Sequence, residues 1–169
     1  FWKKHDQMMA SKFGFNEVLK NDDQFFTDAQ KIMEDLKIDY TLFFNKLETL
    51  KEDTDLKSHF DNIFYNNLTD KQFSAFEKFT ESYFERLKLN TISETESKQL
   101  MQQNNPKFVL RNYLLFECNN EINDGKRDLL NKLLTALENP YTDIYPEFSQ
   151  KRPPIYDGQT GSSTLSCSS

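Results

Sequence analysis

Glycine, cysteine and long apolar runs are all scarce in this sequence. With only four glycines, it contains neither of the glycine-rich phosphate-binding signatures, so no backbone loop is predicted to cradle a phosphate. Two cysteines and no amino-terminal targeting segment predict a reducing compartment without a disulfide framework. Apolar runs such as residues 113–116 are far too short to span a bilayer.

Basic charge is also in short supply. The net charge is −6 and the isoelectric point is about 5.0. An acidic chain without a basic stripe argues against nucleic acid or an anionic membrane as the main partner. The sequence begins Phe1-Trp2-Lys3, without an initiator methionine or a cleavable leader. We therefore expect it to come from the middle of a longer protein, cut inside a helix.

Phenylalanine, in contrast, is abundant, with 16 copies. Apolar residues recur at helical spacing up to about residue 138. The scarcity of glycine and valine also favours helices over sheets. The sequence therefore predicts an all-α, bundle-like fold. The main apolar stripes cover residues 25–36, 40–50, 56–64, 73–87 and 130–137.

Several positions carry helix-boundary signals. Thr69–Gln72 and Ser93–Glu96 fit the capping box at the start of a stripe. Thr27–Gln30 fits it as well but lies inside a stripe, so we interpret it as coincidental. Asn105-Pro106 predicts a further helix start, with asparagine as the cap and proline in the first turn. Asn139-Pro140 predicts the end of the last strong helix.

The composition changes after residue 138. Proline, glycine and serine become frequent, which predicts irregular structure. We therefore divide the chain into a helical region, residues 1–138, and an irregular tail, residues 139–169. We expect the tail to be tethered at Tyr141, Tyr145 and Phe148 and loose at its end. Fully extended, its roughly thirty residues could span about 100 Å.

No constellation of catalytic residues can be recognised. General acid–base or nucleophilic catalysis needs a base beside a nucleophile or a pair of tuned carboxylates. His5 and His59 lie in polar helical stretches, which indicates surface positions, and neither has metal-ligand spacing to a cysteine. The acidic residues fall on the solvated faces of the helices. The sequence therefore predicts no catalytic, cofactor-binding or metal-ligating residue in this chain.

The two cysteines have different surroundings. Cys118 follows Leu110 and Leu114 at a spacing of four residues, which predicts a buried and inert thiol. Cys167 lies among small hydroxylated residues, two positions from the last residue. From the residues alone, it is either a chance terminal cysteine or a redox thiol. A redox role would require a docking site near positive charge or a helix amino end.

The segment from residue 105 to residue 114 contains polar residues among apolar ones. Arg111 and Asn112 stand beside apolar neighbours, where an arginine is costly unless a carboxylate or carbonyl groups bind it. One interpretation is that these residues tie helices of this chain together. The other is that Asn105, Lys107, Arg111 and Asn112 brace a partner domain outside it.

Several segments resemble one protein family. The chain contains NPKFVLRNYL (105–114), LENPYTDIYPEF (137–148) and a terminal LSCSS (165–169). These segments resemble the carboxyl-terminal region of the SelO family, the protein adenylyltransferases also called selenoprotein O. MMASKFGF (8–15) and IDYTLFFNKL (38–47) are similar to further segments of that family. The resemblance runs through nearly the whole chain in the same order.

The resemblance implies a function for the parent protein. SelO proteins have a kinase-like (pseudokinase) fold and bind ATP in a flipped orientation. They transfer AMP to Ser, Thr or Tyr hydroxyls of protein substrates, with Mg or another divalent metal such as Mn. Their nucleotide-binding, metal-binding and catalytic residues lie in the kinase-like part, which precedes this segment, and none of them maps onto this chain.

One family feature does map onto this chain. The third residue from the end is selenocysteine in animal members and cysteine in many others, and Cys167 occupies that place. The resemblance implies that this cysteine forms a disulfide with the kinase-like body and links activity to redox state.

Two hypotheses follow for the chain as a whole. In the first, it is the carboxyl-terminal fragment of an AMP-transferring protein: its helices buttress a missing amino-terminal kinase-like domain, its tail carries Cys167, and it is inactive alone. The alternative is a free-standing helical protein-interaction module without catalysis. We expect a cytoplasmic location in a bacterium or a mitochondrial one in a eukaryote, with no nucleic acid or membrane partner.

Overall fold

The computed structural model describes the backbone of residues 2–159 and the side chains of residues 4–159. Over this part of the chain it is all-α, which confirms the predicted fold class. The α-helices are α1 (Trp2–Lys12), α2 (Asp22–Asp35), α3 (Tyr40–Leu47), α4 (Leu56–His59), α5 (Asp70–Leu87), α6 (Glu94–Asn104), α7 (Asn112–Asn123) and α8 (Asp128–Glu138). Two short 3-10 helices, Pro146–Phe148 and Pro154–Tyr156, follow α8. Within the described range, no helix is both long enough and apolar enough to cross a membrane.

The chain divides into two compact units. The first unit ends at Pro106 and contains α1 to α6, and the second unit begins at Lys107 and contains α7, α8 and both 3-10 helices. The change of composition at residue 139 coincides with the end of α8 at Glu138. The boundary between the two compact units, however, lies before α7, between Pro106 and Lys107. The reason is that α7 and α8 share a small core with residues that follow them.

Aromatic rings fill the core of the first unit, and Phe13 lies at its centre. Phe13 is fully buried at the end of α1. Its ring centroid lies 4.9 Å from that of Phe44 and 5.1 Å from that of Phe25, both edge to face. It also contacts Phe15, Phe26, Phe43, Phe79 and Tyr83. The abundant phenylalanines therefore form the hub on which α1, α2, α3 and α5 converge.

The helix starts predicted from capping boxes are present at two places. Thr69 caps α5 and exchanges hydrogen bonds with Gln72, and Ser93 caps α6 and exchanges them with Glu96. Thr27 lies inside α2, as its position within a stripe indicated. These boundaries could be predicted because the cap and its partner are only three residues apart.

The helix start predicted at Asn105-Pro106 is wrong. Asn105 ends α6 in an extended conformation, and its N–H donates to the carbonyl oxygen of Met101. Proline disfavours the helical conformation of the residue before it, so Asn105 cannot continue α6. The next helix begins only at Asn112, after Arg111.

The apolar stripe over residues 56–64 is also only partly helical. A single turn, Leu56–His59, is followed by an irregular segment in which Phe64 forms an isolated antiparallel bridge with Ile38. The N–H of Asp39 donates to the carbonyl oxygen of Ile63 at 2.8 Å. Ile63 is nevertheless fully buried. The apolar pattern therefore identified core residues but not their backbone conformation.

The second unit has its own small core. Phe108, Leu114, Cys118, Leu133 and Phe148 are buried there, together with Tyr113 and Ala136. Cys118 is 4% exposed and free, which confirms the predicted buried thiol. Phe108 lies inside this core and is 5% exposed.

Candidate functional site

Asn105 is committed to contacts within the first unit. Its side chain is 1% exposed. Its Nδ2 donates to the carbonyl oxygen of Lys12 at 2.9 Å, and its Oδ1 accepts from the Lys12 Nζ at 3.3 Å. The Lys12 ammonium also donates to the Asn104 carbonyl oxygen and lies over the ring of Phe44. Burial lowers the pKa of Lys12 below its usual value. Asn105 therefore joins the ends of α1 and α6.

Lys107, Arg111 and Asn112 belong to the second unit. The N–H of Lys107 donates to the carbonyl oxygen of Pro140 at 2.7 Å. Arg111 is half-buried just before α7, and Asn112 is exposed as the first residue of that helix. The four candidate bracing residues therefore do not form one cluster within either unit. Their role toward a partner domain stays a prediction.

Residues 145–157, which we call the strap, attach the segment after α8 to α7. The Tyr156 hydroxyl donates to the Glu117 carboxylate on α7, and its ring stacks on Tyr113 with centroids 5.2 Å apart. The hydrogen bond to the carboxylate raises the pKa of Tyr156 to about 12. Arg152 closes the last turn of the strap with an ion pair to Asp157 at 2.5 Å.

The beginning of the strap is held by a second set of contacts. Phe148 is buried against Phe108 with ring centroids 5.7 Å apart, and it also contacts Tyr145. Lys132 on α8 forms an ion pair with Glu147 at 3.1 Å. The predicted tethers at Tyr145 and Phe148 are therefore present, whereas Tyr141 is 51% exposed and is not one. Cys167, the predicted redox cysteine, lies outside the described residues.

An ion pair that the sequence did not reveal lies in the first unit. Arg86 on α5 binds Asp22 at the start of α2 through Nε–Oδ1 at 2.6 Å and Nη2–Oδ2 at 2.8 Å. Its guanidinium lies over the ring of Phe15 and donates to the carbonyl oxygen of Glu17. The two partners are 64 residues apart. Only the position of Arg86 within an apolar stripe could have drawn attention to it.

Both histidines, which the sequence predicts at the surface, are half-buried. The His5 Nδ1 lies 3.2 Å from the Asp6 carboxylate, and the His59 Nε2 lies 2.8 Å from the carbonyl oxygen of Lys46. Among residues 4–159, no three His, Cys, Asp or Glu side chains are grouped so that they could hold a metal ion.

An open groove of about 770 Å³ runs along the first unit between α1, α2 and the start of α3. Its floor is apolar and its rim carries carboxylates. The floor and walls include Met8, Met9, Phe26, Met33, Ile38 and Tyr40. Met8 and Tyr40 are each 45% exposed, so their apolar surface is open to a partner.

Comparison with known proteins identifies relatives along the whole chain. The family model described as "Protein adenylyltransferase SelO" matches residues 1–138. A "Protein nucleotidyltransferase YdiU" from Cytophaga hutchinsonii is 35% identical over 98% of this chain and 32% of its own length. Proteins of the same name from Flavobacterium johnsoniae and Tolumonas auensis are 28% and 30% identical, over 98% and 96% of this chain.

The similarity covers only part of each of these relatives. This chain spans about a third of the length of the curated relatives that it matches. The family model, in contrast, covers α1 to α8, all the α-helices of the described residues. The chain therefore belongs to the protein adenylyltransferase SelO family.

Proposed function

We propose that this chain is the carboxyl-terminal helical part of a pseudokinase that transfers AMP from ATP to Ser, Thr or Tyr hydroxyls of proteins. Its helices buttress the kinase-like domain, and its tail presents Cys167 to that domain as a redox thiol. The observation that carries this proposal is the 35% identity over 98% of the chain to a nucleotidyltransferase about three times as long. That relationship supports the proposal that this chain forms one part of a longer nucleotidyltransferase.

The nucleotide and its Mg or Mn ion belong, in this proposal, to the kinase-like domain. The described side chains include no group of three metal-ligating residues, so they do not fit a divalent cation. The sequence likewise has no glycine-rich phosphate loop. We derive no catalytic step from this chain. Transfer of a nucleotidyl group depends on positioning and charge stabilisation around the phosphates, and this chain would contribute to the positioning only.

The strap limits how far Cys167 could lie from α7. Tyr156 anchors the chain to α7, because it is bound to Glu117 and stacked on Tyr113. Cys167 follows Tyr156 by eleven residues, so at about 3.3–3.6 Å per residue the two can be at most about 40 Å apart. This reach is far shorter than the roughly 100 Å available to an unattached tail. A second cysteine that pairs with Cys167 must lie inside that radius.

The redox step in this proposal is an ordinary thiol–disulfide exchange. The thiols of Cys167 and of a cysteine in the kinase-like domain form one S–S bond and together give up two electrons and two protons. A small-molecule disulfide such as oxidised glutathione accepts them and is reduced to two thiols. We propose a cytoplasmic location if the source is bacterial and a mitochondrial one if it is eukaryotic, and in either compartment such a disulfide would be transient.

The activity is tested with the full-length protein. ATP labelled at the α-phosphate should transfer label to protein, whereas ATP labelled at the γ-phosphate should not. Label transfer from the γ-phosphate, or from neither position, would overturn the proposal and favour a kinase or a free-standing interaction module. This chain alone should show no saturable binding of Mg-ATP by calorimetry.

The redox role is tested separately, by peptide mapping of the oxidised full-length protein under non-reducing conditions. A disulfide containing Cys167 should appear after treatment with oxidised glutathione, and Cys167→Ser should abolish it. Cys118→Ser is the matched control, because the thiol of Cys118 is buried and its loss should leave the disulfide intact. Oxidised protein in which Cys167 stays a free thiol would contradict the redox role.

A further inference from the structure

We propose that the groove between α1, α2 and the start of α3 is a docking surface for an amphipathic, basic segment of the parent protein outside this chain. The inference rests on the proposed function, in which this chain is one part of a longer polypeptide. Buttressing requires a contact between this chain and the rest of the parent protein. The inference says where on this chain that contact lies and which side chains it needs.

The apolar character of the groove requires an occupant with apolar side chains. Met9, Phe26, Met33 and Ile38 are each less than 9% exposed and form a closed floor. Met8 stands at the edge of this floor and is 45% exposed. Three of these residues are methionines, whose flexible thioether side chains adapt to the shape of a bound helix or loop.

Tyr40 forms one wall of the groove and is already ordered. Its hydroxyl group lies 3.8 Å from the Met9 sulfur, and its ring packs edge to face on Phe44 with centroids 4.8 Å apart. The Lys12 ammonium lies 5.4 Å from the centroid of the same ring. A partner that docks here therefore meets an aromatic wall held in place by three neighbours, which reduces the entropic cost of binding.

The rim of the groove determines the charge of the occupant. Asp6, Asp23 and Glu34 all line it, with His5 beside Asp6, and among residues 4–159 no lysine or arginine lines it. The Glu34 carboxylate accepts a hydrogen bond from Gln30 at 3.0 Å, which leaves its second oxygen for a further donor. Complementary charge favours a partner with lysine or arginine beside its apolar side chains.

The charge also argues against a second copy of this chain as the occupant. The chain carries a net charge of −6, so two copies joined at an acidic groove would bring like charges together. The longer relatives provide another source, because about two-thirds of their length lies outside the region matched by this chain. We therefore assign the groove to a segment of the same polypeptide.

Site-specific photo-crosslinking of the full-length protein tests this assignment. p-Benzoylphenylalanine replaces Gln30 at the rim of the groove or, in the control, the exposed residue Gln102 on α6. Gln30 should crosslink to a peptide outside residues 1–169 that carries apolar residues together with lysine or arginine. Gln102 should not crosslink to that peptide.

A charge-reversal pair tests the electrostatic part. Glu34→Lys places a positive charge on the rim, while Asp28→Lys makes the same change on α2 outside the groove. The two carboxylates are matched, since each accepts a hydrogen bond from a glutamine four residues earlier in the helix. Glu34→Lys should reduce the crosslink yield from position 30 by about half or more, as expected for loss of a charge pair, and Asp28→Lys should not.

Other results would overturn the inference. The first is a crosslink between two copies, which appears as a light–heavy hybrid when isotopically light and heavy proteins are mixed. The second is a set of crosslinks confined to residues 1–169. The third is a crosslink yield from position 30 that is no higher than the yield from position 102. Transfer of the α-phosphate label is measured on the same unirradiated protein. Label transfer without the expected crosslink rejects the docking surface alone, and absence of label transfer rejects the proposed function.

Discussion

Arg86 and Asp22 form a bidentate ion pair at the junction of α5 and α2, with both side chains at most 8% exposed. Asp22 also accepts a hydrogen bond from the N–H of Leu19 at 2.8 Å, and Arg86 donates to the carbonyl oxygen of Glu17 at 2.9 Å. The pair therefore joins the long helix α5 to the loop that connects α1 with α2. Because the polar atoms of both partners are satisfied, the pair is tolerated in a largely aromatic core.

Breaking this pair on one side should strongly destabilise the first unit. Arg86→Met leaves the Asp22 carboxylate buried without its counter-charge, so we expect a loss of about 3–5 kcal/mol in the free energy of unfolding. Urea denaturation followed by circular dichroism measures this loss. Lys88→Met is the control: Lys88 pairs with Glu85 on the exposed side of the same segment, and its replacement should have no measurable effect. Equal midpoints for the two variants would contradict the assigned role of Arg86.

Gly14 should tolerate alanine less well than Gly125. Both have positive φ, +76° and +78°, so alanine is strained at each by about 1 kcal/mol. A Cβ at Gly14 would also lie 2.5 Å from the Ser97 Oγ, which donates to the Gly14 carbonyl oxygen, whereas a Cβ at Gly125 meets nothing within 4 Å. We expect Gly14→Ala to cost about 1–3 kcal/mol more than Gly125→Ala.

Native-state hydrogen exchange provides the measurement for the two glycines, because it reports on each compact unit through its own amides. Protection should fall in α1 and α6 for Gly14→Ala and only slightly in α7 for Gly125→Ala. If the two substitutions have equal effects, the close approach of Gly14 to Ser97 does not contribute to stability.

Asn105→Ala should destabilise the first unit even without any partner domain. The substitution removes the Asn105 hydrogen bonds to the carbonyl oxygen and ammonium of Lys12, and a buried group left unsatisfied costs about 1–3 kcal/mol. Gln103→Ala, at an exposed position of α6, is the control and should leave the urea midpoint unchanged. A normal midpoint for Asn105→Ala would show that these hydrogen bonds do not stabilise the first unit.

The Tyr156–Glu117 contact should be visible in an alkaline titration. The Tyr156 phenol has a pKa of about 12, against an ordinary value of 10.0. Between about pH 10 and pH 12, the folded chain therefore keeps a phenol proton that the unfolded chain loses. The stabilisation is therefore complete below about pH 10 and is lost as the pH rises through about 12. Tyrosine-selective NMR of the ring carbon bonded to oxygen follows this proton.

Two variants assign that signal. Tyr156→Phe should remove one late-titrating resonance, and Glu117→Gln should move it to lower pH because the carboxylate acceptor is lost. Tyr141→Phe, at a site 51% exposed, should leave it in place. If Glu117→Gln leaves the Tyr156 resonance unmoved, the strap is not held by this hydrogen bond.

Local patterns predicted much of the helical structure. Thr69 and Ser93 start helices because each cap finds its partner within one turn, and Cys118 is buried because a spacing of four residues places it on one helix face. Asn105-Pro106 carries a comparable local signal, yet Asn105 ends a helix there. Its side chain is bound by Lys12, 93 residues away, a contact that no local pattern encodes.

For this protein, the sequence by itself determined the helical class, most of the apolar faces and the family, because these depend on residue types at short spacing. Only the tertiary structure decided which distant side chains meet: Arg86 with Asp22, Tyr156 with Glu117, and Asn105 with Lys12. The physical reason is that these contacts join elements far apart in the chain. Their geometry follows from how the aromatic core packs the helices together.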